Sequence, residues 1–262
     1  MTANLAGPRG YGFPKRELAT RQIFSECRPH IVGFQEFAES NWQDLERPDL
    51  TLVPCEVFEA EYAGVKERMY GNPIAYDPTQ FELLEYGVQW LHPHGKQEKA
   101  WDAIAPRSAC WAHFHEKDSD RHLAVINTQM DNVGQQARAE GAAILIILAN
   151  LATARLGPDV PTIIMGDANV NVGSPHLRWN SPELRKPYDL LYHQEFVDAI
   201  TSVHPPRARP RTFHHYQGST CGDDEWGTYD PDWIFVRNLE VENSTIITKD
   251  YGGVWPSDHY GS

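Results

Sequence analysis

The stretch Pro161–Asn171, "PTIIMGDANVN", sets the fold question. Thr162, Ile163, Ile164 and Met165 read as a strand buried on both faces, because no polar residue alternates with the apolar ones. The run then breaks at Gly166 and passes straight to Asp167, Ala168 and Asn169. Gly, Asp and Asn are turn formers, so a turn alone would account for the break. The alternative is a rigid stem that carries Asp167 and Asn169 into a site.

Outward from this stretch, other apolar segments end the same way. "HIVGFQEF" (His30–Phe37) ends in Gln35 and Glu36, and "HLAVINTQ" (His122–Gln129) ends in Asn127 and Gln129. "SACWAHFHE" is strand-like and is separated from "HLAVINTQ" by the charged turn "KDSDR". "NPIAYDPTQFELLEYGVQWL" reads as two strands around Asp77-Pro78, and "PDWIFV" as a further strand. Lys15–Cys27 has the spacing of an amphipathic helix. Val133–Leu156, rich in Ala and closed by Gly157-Pro158, is the strongest helix in the chain. The polar stretch from there to about residue 225, beyond "PTIIM", reads as loop. Strands and helices in irregular order predict stacked sheets with helices outside, an α/β sandwich, and the absence of repeats or linkers predicts one domain over 1–262.

The totals bound the function. A 262-residue chain with 41% hydrophobic and 23% charged residues is an ordinary globular composition. Lys and Arg number 23 against 36 Asp and Glu, a net charge of −13. Gripping long nucleic acid requires a basic face, and "RARPR" (Arg207–Arg211) is the densest basic run. The balance therefore leans towards a small or metal-bridged substrate. Cys27, Cys55, Cys110 and Cys221 are widely spaced without a CxxC, which predicts reduced, mostly buried thiols in a cytoplasmic protein. "MTANLAGPRGYGF" has no apolar core of a secretory signal. The run Gly141–Ala154 falls short of the roughly 20 apolar residues of a membrane span, so no membrane association is expected.

Carboxylates at several strand ends are costly to bury without a counter-charge. Oxygen donors of this kind suit Mg²⁺ or Mn²⁺. "GFQEF", "NTQMDNVGQQAR", "IIMGDANVNVGSP", "TFHHYQG", "PDWIFV" and "WPSDHY" occur in that order, and the set resembles the endonuclease/exonuclease/phosphatase superfamily over almost the whole chain. It looks most like the superfamily's poorly characterised bacterial and fungal phosphoesterase branch. The resemblance implies a four-layer α/β sandwich of two mainly antiparallel sheets with helices outside. It implies Glu36 as the main Mg²⁺ ligand (Mn²⁺ being a substitute), with Asn4 and Asp258 near the ion. It makes Asp167 the group that orients or deprotonates the attacking water, and Asn169 the holder of the scissile phosphate. His259 would meet the phosphoryl oxygens, its ring held by Asp232. Where the family carries two histidines, this chain has Gln129 and Asn132, which can hydrogen-bond a substrate but cannot become cations.

The plainer readings stand beside these. Glu36 alone is a surface carboxylate, Asp258-His259 a frayed end, and Asp232 a partner for Arg237. Arg107 either pairs with a buried acid or approaches the phosphate. His214 is a candidate substrate-binding residue, and Trp90, Trp101 and Trp111 fill the core or line a cleft. His92 with His94, and His113 with His115, have the alternate spacing that puts each pair on one strand face, where they read as ordinary surface or core residues. The chain is expected to be a metal-dependent phosphoesterase acting on a small or medium-sized phosphoester. A nuclease, and a fold that has lost hydrolysis or turned to binding, are the alternatives.

Overall fold

The computed structural model describes residues 1–7, 13–62, 65–170, 182–204, 211–218 and 230–262. Residues 207–210 of the basic run, Cys221 and the "NVGSP" end of the Gly-Asp motif lie outside the described residues. In chain order, the first elements are β1 (Thr2–Asn4), α1 (Phe13–Cys27), β2 (Ile31–Gln35), β3 (Phe37–Ala38), α2 (Glu39–Leu45) and β4 (Thr51–Val53). There follow β5 (Glu56–Tyr62), β6 (Val65–Gly71), β7 (Ile74–Tyr76), β8 (Phe81–Trp90), β9 (Ser108–Glu116) and β10 (Arg121–Gln129). The chain continues with α3 (Gln135–Leu156), β11 (Thr162–Asp167), α4 (Pro182–Tyr192), β12 (Val197–Asp198), α5 (Ala199–Val203) and β13 (Asp232–Arg237).

Two main sheets result, one ordered β1-β2-β7-β4 and one β12-β13-β11-β10-β9-β8, with β3-β6-β5 forming a third, smaller sheet. Among the described residues, β1–β2 and β10–β11 pair in parallel; the remaining pairs are antiparallel. Three apolar cores fill the spaces between four layers. Ile23 and Phe24 of α1 pack on Val32 and Phe34 of β2. Val53, Ile74 and Tyr76 meet Cys110, Phe114, Val125 and Met165 between the sheets. Leu145, Ala149 and Leu191 cover Ile126, Ile164 and Phe235 on the outer face. The opening stretch is explained by this arrangement. Met165 faces the inter-sheet core and Ile164 the helices, so β11 has no solvent face and its apolar run has no polar alternation.

Four expectations need correction. Cys55 and Cys110 form a disulfide, with Cα atoms 5.6 Å apart across a separation of 55 residues. Spacing rules see only local pairs, whereas here the fold lays the entry to β5 beside β9. Cysteine usage therefore no longer argues for a reducing compartment. The stretch expected to be loop contains α4, whose Tyr188 and Leu191 are buried; Pro187 inside it had masked the periodicity. His92 and His94 lie in a turn, not on a strand, and the His94 amide donates to His92 Nδ1 at 3.0 Å. Last, α3 as a whole is long and apolar enough to cross a membrane by length and composition, though the run within it is not. Its Ala142, Leu145 and Ala149 face is packed against the six-stranded sheet and α4. The strands flanking Asp77-Pro78 belong to different main sheets, so that corner carries the chain from one layer to the next.

Candidate active site

Strand register decides which side chains meet. Gln129, Asp167 and Asp232 stand in one row across β10, β11 and β13, and Asn4 lies opposite Gln35 on the neighbouring sheet. Gly166 makes the approach of β11 to β10 possible. Its φ is +139°, and a Cβ there would sit 1.9 Å from the Thr128 carbonyl oxygen, so no other residue could deliver Asp167 at this depth. Beneath the row, buried Asn127 ties the sheets together. Its Oδ1 accepts from Gln35 Nε2 at 2.7 Å, and its Nδ2 donates to the Phe34, Asn72 and Pro73 carbonyls. Asn127, read from sequence only as another strand-end amide, is a buried bridge.

At Glu36 the backbone turns left-handed, φ +51°, between β2 and β3. A non-glycine residue in this region carries a cost of about 1–3 kcal/mol, of the kind that concentrates at functional sites. The turn exposes the carboxylate to a cleft of about 1210 Å³. Two amides then clamp two acids. Asn4 Nδ2 donates to Glu36 Oε1 (3.1 Å) and to Asp167 Oδ2 (3.2 Å). Gln129 Nε2 donates to the same two oxygens at 2.9 and 3.2 Å. Asn169, also left-handed at φ +52°, receives its own orientation from Asp167 Oδ1 on its amide N–H and donates through Nδ2 to the Met130 carbonyl.

On the opposite side His259 Nδ1 lies 2.8 Å from Asp232 Oδ2. Arg237 goes elsewhere, to Asn150 and Thr153, so Asp232 partners the histidine. Burial opposes charge on His259, but Asp232, Asp167 and Asp258 outweigh it and hold the pKa up to about 10, so the ring is a cation at neutral pH. Burial pushes Asp167 up to about 6, helped by Asp232 and Glu36 and opposed by His259 and the Gln129 bond. Asp258 lines the same cleft, and its carbonyl accepts from the amides of His214 and His215.

Of the two alternatives for Arg107, the structure shows the pairing with a buried acid. Arg107 pairs with fully buried Asp131 at 3.2 Å, donates to Asn132 Oδ1 at 3.3 Å, and still lines the cleft beside Asn132. His214 does not face the cleft. It is fully buried, stacked on Tyr260 at 4.0 Å, and accepts from Gly218 N–H; its neighbours His215 and Tyr216 line the cleft instead. Sequence reasoning also missed Arg16, which is buried under the site. Arg16 Nη1 ties the Leu5 carbonyl (3.0 Å) to the Pro256 carbonyl (2.7 Å), joining the Asn4 and Asp258 segments. Burial pulls its pKa down while Tyr216, Asp258 and Glu36 pull it up. No spacing in the sequence marks it. The β5–β6 hairpin, whose Glu56, Phe58 and Tyr70 form one cleft wall, was not read from the sequence either.

A match to the endonuclease/exonuclease/phosphatase family runs over residues 1–259. The chain belongs to that family. Its fold is that of the Bacteroides vulgatus endonuclease/exonuclease/phosphatase (23% identity, TM-score 0.73, covering 99% of this chain and 94% of that one). A Bacteroides thetaiotaomicron mannosyl-6-phosphatase superposes similarly (23%, 0.75, 99% and 95%). So does D. rerio TDP2 complexed with single-strand DNA product, more distantly (14%, 0.64, 99% and 94%). At these identities the likeness is one of fold. No curated protein gives a sequence match.

Among the described residues no group of three or more His, Cys, Asp or Glu side chains converges on a point in the way a protein-only metal cage requires. The oxygen donors at Glu36 are of a different kind: one cleft-facing carboxylate and a second beside it at Asp167, bridged by the Asn4 and Gln129 NH2 groups, which donate to both acids and are not themselves ligands. Such a set fits Mg²⁺, which uses one or two carboxylates and keeps its remaining positions for water and substrate oxygens.

Proposed function

We propose that this family member is a Mg²⁺-dependent phosphoric ester hydrolase, cleaving a small or medium-sized phosphoester by attack of water at phosphorus. One observation carries the reading. Glu36, Asp167, Asn169 and His259, the last held from behind by Asp232, come from separate parts of the chain and line a single cleft. Mg²⁺ (or Mn²⁺) held by Glu36 with Asn4 and Asp258 would supply neutralisation of phosphoryl charge.

The chain's own residues account for the rest. Asp167, with a pKa near the working range, accepts the proton of the attacking water. Asn169 offers an amide donor to the phosphoryl group, while Gln129, both of whose Nε2 hydrogens go to Glu36 and Asp167, steadies those two carboxylates. His259, fixed through Nδ1 by Asp232, presents its other N–H to the oxygen on which charge builds. Asn132 and Arg107 line the path away from phosphorus. Gln129 in place of a histidine leaves His259 as the only imidazolium among the described lining residues with a resolved upward shift, so the pH dependence rests on Asp167 and His259.

Charge favours a small substrate over nucleic acid. Among the described residues of the cleft wall, the four acids Glu36, Glu56, Asp167 and Asp258 outnumber Arg107 and the His259 cation, the reverse of the basic groove a polyanion needs. The test is phosphate release from sugar phosphates, nucleotides, bis-p-nitrophenyl phosphate and short oligonucleotides, with Mg²⁺, Mn²⁺ or chelator, alongside Glu36→Gln and His259→Ala. Metal-dependent turnover lost in both variants supports hydrolysis and names the substrate class. Metal binding at Glu36 without turnover of any of them would mean that the fold serves binding or other chemistry.

A further inference from the structure

One cleft wall carries groups that the attack on phosphorus does not use. Glu56 opens β5 directly opposite Gly71 of β6. A Cβ at Gly71 would lie 2.3 Å from Glu56 Oε2, so the carboxylate rests across bare backbone, along the cleft wall. There it accepts a hydrogen bond from Ser108 Oγ at 3.0 Å. Ser108 follows Arg107 in the chain, and Glu56, Arg107, Ser108 and Asn132 all line the same cleft.

Arg107 is fixed by Asp131, a side chain with no exposure. Asp131 also accepts from the amides of Ile104 (3.1 Å), Val133 (3.0 Å) and Gly134 (2.7 Å). One buried carboxylate thus pins both the 104–107 and the 132–134 segments and offsets the charge of Arg107; it is a positioning residue. Asn132 uses its Oδ1 to accept from Arg107, which leaves its N–H groups as the donors it can offer to a ligand. Phe58, 41% exposed, and Trp90 line the same cleft.

We propose that Arg107, Asn132 and Glu56 form the subsite for the leaving alcohol and select a ring bearing neighbouring hydroxyls, that is, a sugar phosphate. The proposal rests on the hydrolase reading above and extends it to the substrate class. A hydroxyl both donates and accepts, so adjacent hydroxyls satisfy the Arg107–Asn132 donors and the Glu56 acceptor together. The apolar face of such a ring packs on Phe58 or Trp90. A second phosphate would meet the Glu56 carboxylate and an arginine already neutralised by Asp131. A p-nitrophenyl group, with no hydroxyl, would leave the polar groups unpaired, and sites built to bond a hydroxyl discriminate strongly against analogues that lack it.

The test uses the full chain and the exposed-side variants Glu56→Ala and Asn132→Ala, with thermal unfolding as the check on folding. Two measurements are made with Mg²⁺ present: kcat and KM for a hexose phosphate, p-nitrophenyl phosphate and a 2′-deoxynucleoside monophosphate, which lacks neighbouring hydroxyls, and calorimetric binding of the hexose phosphate. We expect the wild type to prefer the hexose phosphate, and each variant to lower the hexose-to-nitrophenyl ratio of kcat/KM by about tenfold or more, chiefly through KM. A ratio unmoved within about twofold in both variants overturns the subsite, as does a wild-type preference for the nucleotide or nitrophenyl ester. If the wild type hydrolyses none of the three, the hydrolase reading falls and calorimetry decides the subsite separately. Hexose phosphate bound by the wild type and about tenfold weaker with Glu56→Ala upholds it; absent or unchanged binding overturns it.

Discussion

On the six-stranded sheet, away from the cleft, Glu82, His115 and His122 stand opposite one another on β8, β9 and β10, and Asp120 sits 2.7 Å from His115 Nε2. At the strand ends facing the cleft, Asn4, Glu36, Gln129, Asp167, Asp232 and His259 make an equally dense collection of acids, amides and histidine. The two regions differ in surroundings more than in residue types. Side-chain exposure is 62% for Glu82 and 93% for Asp120, against 1% for Asp232 and 8% for His259. In the outer row each charge keeps its water, and pairing adds little. In the cleft Glu36 stays open to water while Asp167, Asp232 and His259 are buried, so burial holds Asp167 up to about 6 and the surrounding carboxylates, Asp232 first, hold His259 up to about 10 against its burial. Burial with convergence distinguishes a candidate site from a decorated surface.

The sharpest way to break that contrast is to remove one group from each region. Glu36→Gln and His259→Ala should each lower kcat/KM by about 10³-fold, roughly 4 kcal/mol of barrier, as expected for charge aligned with a developing anion. His115→Ala should leave turnover within about twofold. Equal losses at His115 and His259 would refute the contrast.

Asp167→Asn should separate function from stability. Loss of the water-orienting carboxylate should lower kcat by about 10²-fold or more. The folded pKa of Asp167 lies above its ordinary value of 3.8, so between about pH 4 and 6 the unfolded chain sheds the proton first and folding stability falls as pH rises. Above pH 6 the full cost of the buried charge persists. The amide variant should therefore be more stable than wild type at pH 7 by about 1–3 kcal/mol, with the gain shrinking towards pH 4. Urea unfolding at several pH values measures this, and a destabilised variant at pH 7 would contradict it.

The contrast also marks what could be read from the chain. "PTIIMGD" revealed a strand buried on both faces because its lack of alternation is itself the signal, and the Gly-Asp break marked its end. "HIVGFQE" and "LAVINTQ" were legible for the same reason. His214 was misplaced because sequence cannot tell which of two adjacent histidines turns inward; the stacking on Tyr260 and the Gly218 bond decide it. Glu56 and Arg16 were invisible, since each acquires its place only through long-range packing, over Gly71 and between Leu5 and Pro256 respectively. The Cys55–Cys110 bond is of this kind too. Nothing in the residues around either cysteine hints that the link between β4 and β5 runs beside β9.

His214 tests burial without convergence. Enclosure pulls its pKa down to about 4, with the His259 cation adding to the effect. Its folded pKa is below the unfolded 6.5, so the unfolded chain takes up the proton first on acidification. Stability should be intact above about pH 6.5 and fall by about 2–3 kcal/mol as pH drops to 4. His214→Phe, which keeps a ring against Tyr260 and Trp255, should lose that acid slope at some cost from the unpaired Gly218 amide. An unchanged slope in the variant would assign the acid sensitivity elsewhere.

The smallest expected effect lies in the outer row itself. His115→Ala removes the bond to Asp120 and the edge contact with the His122 ring, whose centroid is 5.9 Å away. Asp120 is almost wholly exposed and regains water as it loses the histidine, so the two contributions nearly cancel. Stability should change by no more than about 0.5 kcal/mol, and Glu82→Gln should change it no more than that. A double-mutant cycle across Glu82 and His115 reads any residual coupling directly. Coupling well above about 1 kcal/mol would mean that neighbouring residues shield this row from solvent as effectively as the cleft shields Asp167, and exposure would then be the wrong criterion for separating the two regions.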